Sequence, residues 1–186
     1  MSAILEREIK LRFPDVEVAK AAVLQTGATP IRGRRLQEDC LLDMPDDSLR
    51  RRRCVLRVRV ESGKSYVTFK GPVQPATVKV REELETVVAD GPVLIRIFEE
   101  LGFRAWFRYE KYREEFALDD VVIAVDETPV GTFVEIEGGD RGIADMAIAL
   151  GRNPSDYLLD SYRSLFCQHR TQLGLPITDM LFDEVD

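Results

Sequence analysis

Residues 6–11 read Glu6-Arg7-Glu8-Ile9-Lys10-Leu11. Successive side chains of a β-strand point to opposite faces. As a strand, this stretch carries Glu6, Glu8 and Lys10 on one face and Ile9 and Leu11 on the other. As a helix, it would set Glu6 and Lys10 one turn apart as an exposed salt bridge. So short a segment leaves both readings open, and the choice rests on whether the pattern returns.

It returns along the chain. Period-2 alternation predicts strands over 5–13, 37–43, 54–61, 64–71, 78–88, 104–115, 121–127 and 131–137. Turn-forming pieces such as Met44-Pro45-Asp46-Asp47 and Gly71-Pro72 separate some of them. The polar faces repeat the first one: Arg57 with Arg59, Thr68 with Lys70, Arg81 with Glu83 and Glu85, Lys111 with Arg113, and Glu135 with Glu137. The opposite faces are apolar, as in Leu56, Val58 and Val60.

Helical periodicity predicts helices over 15–26, 90–101 and 140–150, with one or two more in 153–173. Asp15 and Asp90 stand where N-caps are expected, and Gly27, Gly102 and Gly151 where helices stop. Val16, Ala19, Val23 and Leu24 form one apolar stripe, and Leu94, Ile97, Phe98 and Leu101 another. Such stripes can cover the apolar faces of the strands. Eight strands can close an antiparallel sheet on itself. The expected fold is therefore α+β, a closed eight-stranded antiparallel β-barrel with helices packed on the outside, in a single domain spanning residues 1–186.

Closure turns the charged faces inward, into a tunnel. Its acids would be Glu6, Glu8, Glu83, Glu85, Asp126, Glu135 and Glu137, and its bases Lys10, Arg57, Arg59, Lys70, Arg81, Lys111 and Arg113. Seven face seven, a near-neutral set. A triphosphate adds about four to five negative charges and two divalent cations add about four positive ones, so the filled site stays near balance, as a low-dielectric cavity requires. Arginine and lysine hold phosphate oxygens, and carboxylates suit the hard ions Mg²⁺ and Mn²⁺.

Composition limits the other options. The net charge of −7 argues against general nucleic-acid binding, and we expect no nucleic-acid partner. Cys40, Cys54 and Cys167 give neither a disulfide framework nor a zinc spacing. No run approaches the length of a membrane span, and charge within the first six residues gives no visible signal peptide. The expected location is cytoplasmic, without a membrane partner. The arginine run 50–53 reads as a solvated turn leading into the third strand. His169 is the only histidine, so no His-based triad or multi-His metal site can form. Trp106 and Phe107 read as packing residues that could also border a tunnel mouth. There is no Walker A motif for a P-loop.

The ordered pieces resemble the CYTH family of triphosphate tunnel metalloenzymes, named for class IV adenylate cyclase and thiamine triphosphatase members. Glu6-Arg7-Glu8-Ile9-Lys10 matches its ExExK signature. Leu56-Arg57-Val58-Arg59, Thr68-Phe69-Lys70-Gly71-Pro72, Arg81-Glu82-Glu83-Leu84-Glu85, Lys111-Tyr112-Arg113, the Asp126 strand, Gly131 to Glu137 and Ser161-Tyr162 follow in order. The resemblance covers about residues 4–165. It implies Mg²⁺ or Mn²⁺ on Glu6, Glu8, Glu135 and Glu137, with Asp126 near the metals. It implies phosphate binding by Lys10, Arg57, Arg59, Lys70, Arg81, Lys111 and Arg113. Catalytic roles are expected for Glu8, Lys10, Glu83, Lys111 and Glu135. The family often has an aromatic pair before the second-strand aspartate, whereas here the run is Asp39-Cys40-Leu41-Leu42-Asp43, so Asp43 is assigned no catalytic role.

The leading expectation is hydrolysis of the terminal phosphate of inorganic triphosphate or thiamine triphosphate. The alternatives are class IV adenylate cyclase chemistry on ATP and a non-catalytic polyphosphate- or nucleotide-binding module. The protein is expected to be a monomer or homodimer.

Overall fold

The computed structural model describes residues 5–183. Residues 1–4, part of the stretch read for the absence of a signal peptide, lie outside it. Eight strands, β1 (Leu5–Phe13), β2 (Thr29–Asp43), β3 (Val55–Glu61), β4 (Lys64–Lys70), β5 (Lys79–Val88), β6 (Arg104–Leu118), β7 (Val121–Thr128) and β8 (Gly131–Glu137), close in the order β1-β5-β4-β3-β2-β6-β7-β8. Every neighbouring pair is antiparallel. The expected α+β barrel is the observed fold.

The apolar faces point outward and carry two cores. Ile9 and Leu11 of β1, Ile123 and Val125 of β7 and Val134 and Ile136 of β8 pack beneath α1 (Val16–Gln25). Ile143, Met146 and Ala147 of α4 (Asp140–Ala149) complete that core. Cys40, Leu42 and Val58 meet Leu94, Ile95 and Phe98 of α3 (Gly91–Glu100) on the other flank. Asp15 and Asp90 are N-caps, accepting from the Val18 and Val93 amides at 2.8 and 2.9 Å. Gly27 and Gly102 end α1 and α3 at φ of +89° and +92°, where a side chain would be strained.

Three expectations need correction. β2 starts at Thr29 rather than residue 37, because register shifts at Pro30/Arg32 and Arg32/Arg35 break the period-2 pattern there. The arginine run overlaps a short helix, α2 (Ser48–Arg51), whose amides at Leu49 and Arg50 donate to the buried Asp43 carboxylate. Asp43 thus holds a helix start. On α3, Ile97 and Leu101 are exposed and Ile95 is the inward residue, since the helix lies on the barrel along a face turned toward 94, 95 and 98.

Region 153–173 resolves into one 3₁₀ turn at Pro154–Asp156 and α5 (Tyr162–Gln172), capped by Ser161. This last helix does not cover the outer wall. Tyr162, Leu165 and Phe166 pack on Leu41, Phe107 and Phe133, which continue the inward rows of β2, β6 and β8. Leu158 exchanges two backbone hydrogen bonds with Lys10, and Met180 bonds to Arg108 and Glu110 of β6. The segment from 158 onward therefore closes one end of the barrel with apolar side chains.

Candidate active site

Strand parity sends the charged rows inward, and closure brings them together. All the expected tunnel residues except Asp126 line one cavity of about 290 Å³. Register sets their neighbours. Glu6 faces Arg81 and Glu8 faces Lys79 across β1 and β5. Glu8 faces Glu137 and Lys10 faces Glu135 across β1 and β8. Lys70 faces Glu83 across β4 and β5.

Nearly every charge has a partner. Glu6 takes Lys70 at 2.6 Å and Arg81 at 3.1 Å. Lys10 bridges Glu8 at 3.0 Å and Glu135 at 3.1 Å. Lys79 donates to the same Glu8 oxygen. Arg113 donates to Glu135 at 2.7 Å and forks onto Asp126 at 2.7 and 2.6 Å. Asp126 also accepts from Lys111 at 2.9 Å and from the Tyr162 hydroxyl at 2.5 Å. Its carboxylate is fully enclosed by these donors and lies behind the cavity wall rather than on it.

The structure adds residues that the sequence reading passed over. Asp39 is buried and accepts two bonds from Arg59, at 2.9 and 3.1 Å, with Arg57 Nε at 3.4 Å. It stands on the same face as Gln37, within the expected strand, and parity could have found it. Lys79 shares a face with Arg81, so its parity signal was also present. Arg32, Arg35, Glu61 and Glu115 form a further network towards the open end, with Arg35 bound to Glu61 at 3.0 Å and Glu115 at 2.8 Å. The bulges in β2 turn Arg32 and Arg35 to the same side, which simple alternation forbids. The three additional acids, Asp39, Glu61 and Glu115, match the three additional bases, Arg32, Arg35 and Lys79, so the lumen keeps its charge balance.

Phe107 sits in the closed-end core, while the guanidiniums of Arg50 and Arg163 lie 4.4 and 4.7 Å from the Trp106 ring centre. His169 is exposed near the end of α5.

Local balance is less even than the total. Against the upward push of burial, Lys70 and Arg81 hold Glu6 far below the usual carboxylate range. Arg113 and Lys10 do the same for buried Glu135. Burial and the neighbouring Arg113 pull Lys111 down to about 8, with Asp126 opposing. Burial and Lys10 pull Lys79 down to about 8, with Glu8 opposing. Glu137 is pushed up to about 7 by burial and by Glu6, Glu135 and Glu8. It has no ion-pair partner among the described residues. The lumen therefore has crowded ammonium groups in want of an anion and crowded carboxylates in want of a cation.

That second feature tests the fit of a divalent ion. Like charges directly opposite on a sheet are destabilising, and Glu8 and Glu137 are such a pair. Their donors are all carboxylate oxygens, the ligand type Mg²⁺ and Mn²⁺ prefer. Among the described residues no three acidic, His or Cys side chains converge as a ready-made metal cage, consistent with Lys and Arg holding these acids instead. The donor set fits a hard divalent cation that replaces some of those partners.

Acids and bases thus face one another across the lumen of a closed barrel. The chain matches the CYTH domain model over residues 5–148, and it belongs to that family. The family's members are triphosphatases or adenylate cyclases, and this chain is an enzyme of that kind. A Methanocaldococcus jannaschii protein named "Putative adenylate cyclase MJ0240" is 31% identical over 144 residues, covering 77% of this chain and 80% of that protein. The PH1012 protein from Pyrococcus horikoshii superposes with a TM-score of 0.73 at 29% identity, over 86% of this chain and 98% of its own. A Hippeastrum protein, described as a "Putative adenylyl cyclase" with a dominant triphosphatase activity, has the same fold at 15% identity and a TM-score of 0.65, over 93% and 97% of the two chains. No helix among the described residues is long and apolar enough to cross a membrane.

Proposed function

We propose that this chain hydrolyses the terminal phosphate of a short triphosphate, with inorganic triphosphate ahead of thiamine triphosphate, using Mg²⁺ or Mn²⁺. The observation that carries the reading is the closed end. Leu41, Phe107, Phe133, Tyr162 and Phe166 bar an organic group from passing through the lumen. The volume of about 290 Å³ is at the lower limit of small-molecule pockets.

In this reading Glu6, Glu8, Glu135 and Glu137 would hold the cation. When bound, it offsets charge developing on the phosphate oxygens. Lys10, Arg57, Arg59, Lys70, Arg81, Lys111 and Arg113 line up the triphosphate and stabilise the departing diphosphate. Such positioning and electrostatics supply most of phosphoryl-transfer catalysis, so no covalent nucleophile is needed. Lys111 and Lys79, crowded by other cations, gain an anionic neighbour. Glu83, its carboxyl raised by burial with Lys70 opposing, is suited to accept a proton from the attacking water. Asp126 and Tyr162 keep Arg113 and Lys111 oriented from behind.

A second reading, conversion of ATP to cyclic AMP and diphosphate, draws on the name of the Methanocaldococcus jannaschii relative. A product assay with inorganic triphosphate, thiamine triphosphate and ATP, each with Mg²⁺ and with Mn²⁺, separates the two. Orthophosphate release that EDTA stops, fastest from inorganic triphosphate, is the expected result. Cyclic AMP with diphosphate from ATP would replace the hydrolase reading by the cyclase. Glu135→Gln should lower the rate far more than triphosphate affinity.

A further inference from the structure

Lys79 has no place in the expected site, yet it is among its most buried cations, 4% exposed. It stands directly across from Glu8 and donates to Glu8 Oε1, the oxygen that Lys10 also reaches at 3.0 Å. Lys10 has a second acid, Glu135, at 3.1 Å. Lys79 has none: Glu8 is its sole ion-pair partner among the described residues. Two ammonium groups thus occupy one carboxylate oxygen, and one of them depends wholly on it.

We propose that Lys79 is the built-in occupant of the cation position at Glu8, and that it changes partner from Glu8 to a substrate phosphate when the divalent ion binds. The inference rests on the proposed use of Glu8 as a metal ligand. A cation on Glu8 displaces the Lys79 ammonium. That ammonium remains buried, and an unpaired buried charge is costly. A phosphate oxygen in the same cavity relieves it. Lys79 therefore opposes loading of the cation alone and favours loading of cation and triphosphate together. Such coupling is reciprocal: what the cation does for triphosphate affinity, triphosphate does for the cation.

The distinguishing consequence is a pair of effects with opposite signs. Lys79→Met leaves Glu8 paired with Lys10, so no carboxylate is orphaned. It should tighten Mn²⁺ binding to the substrate-free protein by about tenfold, within the usual range of coupling energies. The same change should weaken inorganic triphosphate binding in EDTA by a similar factor. Mn²⁺ affinity can be read by the loss of its free-ion electron paramagnetic resonance signal, and triphosphate affinity by calorimetry, neither needing turnover. Lys79→Arg keeps the charge and should leave Mn²⁺ binding near the wild-type value. Unchanged or weaker Mn²⁺ binding in Lys79→Met, or equal tightening in both variants, would overturn the inference while leaving Glu8 as a ligand. Wild-type Mn²⁺ binding that is unaffected by Glu8→Gln would overturn the metal reading itself, and the inference with it.

Discussion

Asp39 offers the sharpest test of how the lumen is held together. Its side chain is fully enclosed, and its carboxylate accepts two hydrogen bonds from Arg59 and forms an ion pair with Arg57 Nε at 3.4 Å. Removing one partner of a buried ion pair leaves the other charge without compensation, at about 3–5 kcal/mol. Here two arginines share the loss. Arg57 retains Thr68 Oγ1 at 3.1 Å and Glu85 at 3.4 Å, whereas Arg59 has no other ion-pair partner among the described residues. The penalty of Asp39→Ala should therefore fall on Arg59 and lie within that range. For a chain of this size about 3–5 kcal/mol corresponds to a fall in Tm of about 6–20 °C. Urea unfolding at neutral pH gives the free energy directly. The anion dependence provides a second reading, because released arginines should seek another negative group. Inorganic triphosphate in EDTA should then raise the Tm of Asp39→Ala more than that of the wild type. A loss below about 1 kcal/mol, as for an exposed pair, with no added response to triphosphate, would refute the view that Asp39 organises these two arginines.

The metal-free protein should show two pH limbs. Glu137 has its folded pKa raised to about 7, so its protonated form favours the fold; stability from this group is present in mild acid and is lost as pH rises through 7. Asp126 has its folded pKa lowered to about 2 by Arg113 and Lys111 against burial, so its contribution is present above the unfolded carboxylate range and is lost as pH falls toward 2. Melting curves in EDTA should flatten between the ordinary carboxylate range and pH 7 in Glu137→Gln and lose part of the acid limb in Asp126→Asn; superimposable curves would count against these assignments. Phe133→Ala should cost about 3–5 kcal/mol as a buried aromatic truncation. Because Phe133 belongs to the closed end, it should also narrow the preference for inorganic triphosphate over thiamine triphosphate, as read from kcat/KM on each.

Strand parity made the charged lumen legible before any coordinates. Glu6, Glu8 and Lys10 alternate with Ile9 and Leu11, and the same logic gave Arg57 and Arg59, Lys111 and Arg113, and Glu135 and Glu137. Asp39 obeys it too, but its row also contains the uncharged Gln37 and Leu41, which dilute the signal; Lys79 continues the charged row of Arg81, Glu83 and Glu85 and was legible by the same logic. Arg32 and Arg35 could not be found this way, since a bulge puts residues of opposite parity on one side. Parity also fixes a side chain's face but not its height along the barrel. Leu41, Phe107 and Phe133 share faces with charged residues, yet sit where residues from 158 onward cover them. That contact spans the chain and has no local signature. The shift of the α3 stripe from Ile97 and Leu101 to Ile95 has the same origin, because amphipathicity permits several tilts and packing on Leu42 and Val58 selects one.

These observations divide stability from function in space. Burying matched ions stabilises a fold little, because desolvation offsets most of the attraction. The lumen, with its carboxylates, lysines and arginines, therefore contributes little net stability for the number of contacts it makes. The outer shells do the opposite. Ile9, Ile123, Val134 and Ile136 are wholly or almost wholly buried against α1 and α4, and each such side chain contributes about 1.5–3 kcal/mol on burial. An ordinary barrel could place its main core inside. This chain places its cores outside, between sheet and helices, and leaves the interior to charge. The helices are thus a requirement of the chemistry: without α1, α3 and α4 to cover the outward apolar faces, strand parity would have to be reversed, and Glu6, Glu8, Lys10 and their partners would face water rather than one another.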